Sequence, residues 1–220
     1  MRIIIKQNIY IIFLLALCHF AAAQPTFNDK ANREEAFLAV KEMRYGGVLV
    51  VRLKTNHIKI KSLQRELSNP NLKPGKRKRI QGILDETISR KDAINTTMAN
   101  AFLDSFRFCP VYLSYDTSAN TLKTAKNGIF LNRDLQIDPT ISIPDTANIF
   151  IAYYHEKSGD YPSDGLMIRR LSKTLNEPFP HYTAIKESFI NEMNTPRLRK
   201  VIVILDDKLG KLLARAEKRE

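Results

Sequence analysis

The chain has 220 residues, of which 44% are hydrophobic and 26% charged, with a formal net charge of +12. That length supports a packed core. Its two cysteines, Cys18 and Cys109, exclude a scaffold held together by several disulfides.

Residues 1–23 have the layout of a cleaved secretory signal. Arg2 and Lys6 give a positive start, Ile9 to Phe20 an apolar run, and Ala21-Ala22-Ala23 the small residues of a cleavage site before Gln24. The run falls short of the ~20 apolar residues needed to cross a bilayer, and its flank carries no stop-transfer charge. Leu17 stands where a lipidated Cys18 would want a small residue. The expectation is export to the periplasm or beyond, as a chain that does not span a membrane once the signal is cleaved. Cleavage leaves Cys109 alone, so an internal disulfide is excluded even in an oxidising compartment.

From Asn28 to Tyr45, Ala36, Phe37, Val40 and Met43 recur at helical spacing, and Gly46-Gly47 stops the run. Val48-Leu49-Val50-Val51 then reads as a buried strand running to about Leu53. Ile58, Ile60, Leu63 and Leu67 suit a helix. After the punctuation of Ser68 to Gly75, a longer helix follows from Lys76 to about Phe106. Together they predict a helical hairpin over about 56–106.

Phe108 to Tyr115 reads as a second strand, with Pro110 at its start or on an edge. Ile129-Phe130-Leu131 suits a short strand, Asn148 to His155 is the clearest strand in the chain, and Leu166 to Leu171 reads as its antiparallel neighbour. His181-Tyr182 extends an edge, and Ala184 to Met193 is ambiguous. Thr195-Pro196 opens a C-terminal helix with Leu198, Val201, Ile202, Leu205, Leu209, Leu212 and Leu213 on one face.

The order predicts an α/β fold: one three-layer domain over 24–220, with a mixed central sheet of about four to five strands, the inserted hairpin and the long C-terminal helix. The hairpin can serve as a crossover that makes the first two strands parallel neighbours. A thioredoxin-like core begins the same way. That analogy rests on fold alone, because no Cys-x-x-Cys is present.

Between Arg52 and Lys91 there are twelve Lys and Arg against Glu66, Asp85 and Glu86. The densest part holds Lys73, Lys76, Arg77, Lys78 and Arg79, at the predicted hairpin tip. The plain reading is a solvated turn. The functional reading is a patch for an anionic envelope component. Outside the cytoplasm, nucleic acid is not the expected physiological partner.

No catalytic constellation is visible. Cys109, between Phe108 and Pro110, reads as a buried core thiol, and His57, His155 and His181 have no family spacing around it. No metal-binding spacing stands out and no cofactor is implied. Asp160 and Asp164, with Glu156 nearby, offer oxygens of the kind a hard cation takes, against the plain reading of an exposed turn, which explains them better. Tyr112, Tyr115, Tyr153, Tyr154, Tyr161, Phe179 and Tyr182 lie on or beside the predicted sheet; Tyr112 and Tyr154 are the named candidates for a platform that binds sugar or peptide, against the plain reading of packing residues. Asp145-Thr146-Ala147 resembles a short acceptor for O-glycosylation of exported bacterial proteins, at Thr146. Asn95-Thr96-Thr97 matches the N-glycosylation triplet but falls inside the long predicted helix.

Three segments carry a family resemblance: Val48 to Thr55, Phe106-Arg107-Phe108-Cys109-Pro110-Val111-Tyr112, and Pro178-Phe179-Pro180-His181-Tyr182. They resemble an uncharacterised family of exported bacterial proteins. The resemblance implies export and an α/β domain, and it brings no activity. The expected function is a binding or envelope-associated module. The alternatives are a hydrolase-type enzyme with a site assembled from distant residues, and a thioredoxin-like protein without redox chemistry.

Overall fold

A computed structural model describes residues 29–156, 158, 161, 163–185 and 195–219. The expected signal segment, Asp160 and most of the ambiguous run after Ala184 lie outside the described residues. Two compact units divide the chain, 1–31 and 32–220. Apart from the first three residues of the first helix, every described element belongs to the second.

Helix α1 (Asp29–Gly46) buries Ala36, Ala39, Val40 and Met43, the stripe its spacing predicts. It passes without a loop into strand β1 (Gly47–Leu53). Only glycine fits this junction: a Cβ at position 47 would lie 2.6 Å from the Met43 Cα and 2.7 Å from its carbonyl oxygen. The next four residues, Val48 to Val51, are buried on both sides of β1, as their continuous apolar run requires of a central strand.

The hairpin follows as α2 (His57–Leu67) and α3 (Pro74–Ser105). Every α2 residue keeps some exposure, and Ile58, expected on its apolar face, is 75% exposed. Helix α3 is about 48 Å long at 1.5 Å per residue. Its first half buries Ile80, Leu84 and Thr87, and its second half carries Ile94, Met98, Ala101 and Phe102 into the main core.

Strands β2 (Val111–Tyr115), β3 (Phe130–Leu131), β4 (Asn148–His155), β5 (Gly165–Arg170) and β6 (Tyr182–Ala184) complete one sheet among the described residues, in the order β3-β2-β1-β4-β5-β6. The expected four to five strands become six, because two very short runs pair as edges. Strands β2 and β4 both flank β1 in parallel, while β3, β5 and β6 run antiparallel to their neighbours. The hairpin is therefore a crossover between parallel neighbours. Pro110 stands just before β2, where its carbonyl accepts a 2.9 Å bond from the Leu49 N–H and its missing donor costs nothing.

One face of the sheet, with Leu49, Val51, Leu113, Phe150, Ala152 and Ile168, packs against α1, α3 and the last helix, α4 (Thr195–Glu217). Helix α4 contributes Leu198, Ile202, Leu205, Leu209 and Leu212, which are buried as its sequence predicts. On the opposite face, Val48, Val50, Ile149 and Ile151 lie under Leu122, Ile141, Ile143 and Ala147. The third layer is thus built from the turns and short 3-10 segments between β2 and β4, and α1, α3 and α4 gather on the other face. Among the described residues no helix is long and apolar enough to cross a membrane.

Candidate functional site

Strands β1 and β4 end side by side, since they are parallel and in register from Gly47↔Asn148 to Arg52↔Tyr153. The chain leaves β1 towards β2 on one side and leaves β4 towards β5 on the other. In open α/β sheets, such a reversal leaves a crevice beyond the carboxyl ends of the strands, and ligands favour it.

This crevice is a cavity of about 250 Å³. Lys54 and Asn56 reach it from the end of β1, Glu156 from the end of β4, and Lys59 from α2. Helix α3 supplies Ile83, Glu86, Arg90 and Ile94, which recur at helical spacing and so share one stripe.

The β1 exit is held by polar contacts. Buried Asn95, on α3, accepts from the Lys54 N–H at 3.1 Å and donates to the Lys54 carbonyl at 2.8 Å, taking the place of a strand partner. Thr55 donates to Asp116 through both its N–H (3.1 Å) and its hydroxyl (2.6 Å). Asn56 adopts left-handed backbone, φ 52°, which its side-chain type tolerates better than most. Its carbonyl accepts from Ile60 at 3.0 Å, so α2 begins directly there.

The Lys54 ammonium stands 3.1 Å from Glu156 and 5.3 Å from the centre of the Tyr154 ring. The buried Tyr154 phenol donates to the Asp164 carboxylate. Burial first, and then the negative Asp164, hold that phenol well above the usual tyrosine range, so it stays neutral. Lys91 pairs with Asp92 at 2.9 Å. Among the described residues no carboxylate pairs with Lys59 or Arg90. The lining therefore carries more positive than negative charge and suits an anion.

The residues singled out from sequence fall elsewhere. Lys73 precedes α3, and Lys76 pairs with Glu66 at 2.6 Å. Arg77 donates to the Leu67 carbonyl at 2.6 Å and the Asn69 carbonyl at 2.9 Å, closing the hairpin turn. Lys78 and Arg79 are exposed. The tyrosine platform needs correction. Tyr112 is half-buried against Phe130, with ring centres 5.5 Å apart, on the turn-covered face. Tyr154 is buried on the helix-covered face. Alternation along the strands sends the two to opposite sides, so no single platform holds both.

Thr146 is exposed in a turn, where an acceptor would be accessible. Asn95 is buried and engaged, which disqualifies its triplet. Cys109 is buried, and its thiol is pushed up to about 12, by desolvation first and then by the Asp206 charge. A thiol so placed holds almost no thiolate near neutrality. Each described histidine engages a near neighbour: His57 with the Thr55 hydroxyl, His155 with Ser158, His181 with the Phe179 carbonyl. Asp164 is buried rather than in an exposed turn. Among the described residues no three His, Cys, Asp or Glu form a metal-holding group.

Sequence reasoning singled out neither Lys59 nor Arg90, and it named Glu156 only beside Asp160 and Asp164. The one available signal was position: Lys54 and Glu156 directly follow the two strongest strand runs. The chain matches no protein-family model, no curated protein and no solved structure.

Proposed function

We propose that this chain is an exported binding module that holds an anionic component of the envelope in the crevice beyond β1 and β4. The observation that carries the reading is the placement of Lys59 and Arg90, neither in an ion pair among the described residues, in a cavity whose cations outnumber Glu86 and Glu156 at the point where the strand order reverses. The signal-like leader and the resemblance to an exported family support the compartment. The Lys54–Glu156 pair gives the site an orienting element, since a ligand can accept from the ammonium and donate to the carboxylate.

The test is calorimetric titration of the purified protein with inorganic phosphate and with a small dicarboxylate at low salt. Replacing Lys59 and Arg90 together by Gln should weaken binding by about tenfold or more. Equal binding by this variant and the parent would remove the crevice from consideration. Export is tested separately, by fractionating cells and sequencing the N-terminus of the product, which should begin at Gln24.

A further inference from the structure

Away from the crevice, the fold assembles a second basic surface from segments far apart in the chain. Tyr161, Pro178, His181 and Tyr182, with the Glu177 carboxylate beside them, form one wall of a cavity of about 450 Å³, and α4 forms the other with Lys208, Lys211 and Arg215, so cations outnumber the one carboxylate. A second cavity of similar size shares Pro178, Leu212 and Arg215 with it and continues past Arg33, Phe37 and Lys218. The two make one groove.

Its cations are ordered. Lys208, Lys211 and Arg215 lie three or four residues apart on α4, hence on one stripe, over about 10 Å at 1.5 Å per residue, and Lys218 follows just past the helix end. Lys211 pairs with Asp207 at 2.6 Å. Among the described residues no carboxylate pairs with Arg33, Lys208, Arg215 or Lys218. The helix dipole accounts for cations near the end of α4, but it opposes a cation in the first turns of α1, where Arg33 stands. The convergence of Arg33 with the α4 row needs another reason.

The opposite wall is aromatic and fixed in place. The Tyr182 ring lies so close over Gly165 that a Cβ there would stand 2.7 Å from its Cζ. Its hydroxyl donates to the Ser163 carbonyl at 2.7 Å. The Tyr161 ring packs 4.6 Å from it, centre to centre, and His155 lies 5.1 Å beyond. An aromatic wall opposite a row of cations suits a ligand that brings apolar ring surface and regularly spaced anionic groups. An acidic peptide would satisfy the charges but leave the aromatic wall unused. A membrane surface would not enter a groove of this kind.

We infer that the groove between α4 and the Pro178 loop is a binding site for an acidic oligosaccharide, separate from the crevice. Sugar rings lie against Tyr161 and Tyr182, and their carboxylate or phosphate groups meet Lys208, Arg215 and Arg33.

The test is fluorescence anisotropy of the purified protein with an end-labelled hexagalacturonate. Labelled maltohexaose, hexaglutamate and vesicles of phosphatidylglycerol serve as competing probes. The expected result is binding of hexagalacturonate in preference to all three. The paired substitution Lys208→Gln with Arg215→Gln should weaken it by about tenfold or more, and Tyr161→Leu should weaken it without changing its salt dependence. Gln at Lys59 and Arg90 should leave it unaltered. Hexaglutamate binding as tightly, vesicle binding alone, or unchanged affinity in the α4 variant would each overturn the inference. Loss of binding in the crevice variant would also overturn it, because the two sites would then be one.

Discussion

At the residue scale, three positions carry more than their side chains suggest. Gly47 lets α1 run straight into β1, and a methyl group there meets the backbone of Met43 and Glu42. Gly47→Ala should cost about 1–3 kcal/mol, as overpacking does, measured by urea denaturation. Asn95 is tied to both main-chain groups of Lys54. Asn95→Ala should cost about 1–3 kcal/mol by stranding a buried donor and acceptor, and it should also weaken anion binding in the crevice, because Lys54 loses its fixed position. Asn95→Asp sets a buried carboxylate oxygen against the Lys54 carbonyl and should cost at least as much as Asn95→Ala. Cys109 sets an alkaline limit. Its thiol titrates from 9.0 in the unfolded chain and about 12 in the fold. Through that window the unfolded state releases its proton first, so stability is complete below pH 9 and declines towards pH 12. Denaturation midpoints in this range should fall less steeply in Cys109→Ala. A decline above pH 10 should remain, because the Tyr154 phenol is raised in the same sense.

At the scale of elements, strong periods and long apolar runs were readable from sequence and short or composite features were not. The α4 stripe and the continuous run of Val48 to Val51 each have one physical solution, a helix with one buried face and a central strand. Strands β3 and β6 have two and three residues, too few for any period, and exist only because β2 and β5 offer them an edge. The turn-built layer over Val50 and Ile151 contributes isolated Leu122 and Ile143, which no pattern joins. The crevice was hidden for a related reason: Lys54, Arg90 and Glu156 meet only once the strand order is known. The hairpin shows what composition can mislead about. Its basic tip stands out in sequence, yet Lys76 and Arg77 spend their charge on Glu66 and on two carbonyls that close the turn. Gln at Lys78 and Arg79 should change stability by less than about 0.5 kcal/mol, whereas Arg77→Ala should loosen the turn and raise hydrogen exchange at Leu72, whose N–H bonds Asn69.

At the scale of the whole molecule, three distant parts are joined through one carboxylate. Asp104, near the end of α3, pairs with Arg199 on α4 and with Arg133 in the turn after β3. Asp206 adds a second tie, accepting from the N–H groups of Arg107 at 3.0 Å and Phe108 at 2.9 Å just before β2. The two link the helical layer to the strands of one sheet edge. The hydrogen bond from Arg199 above all, with Arg133 beside it, holds the Asp104 carboxyl below its ordinary value of 3.8. As pH falls, the unfolded chain takes up this proton first. The contribution is therefore present above 3.8 and disappears as pH drops through the lower folded value. Urea midpoints measured from pH 6 down to strong acid should show a shallower acid limb in Asp104→Asn than in the parent, with the variant already weaker at neutral pH. Asp138 is lowered as well, through its bonds from Thr140, but those close only a local turn. Asp138→Asn should therefore flatten the acid limb without loosening α4 from the rest, and hydrogen exchange along α4 should rise in the Asp104 variant alone. Equal exchange along α4 in both variants would show that Asp104 is no clamp.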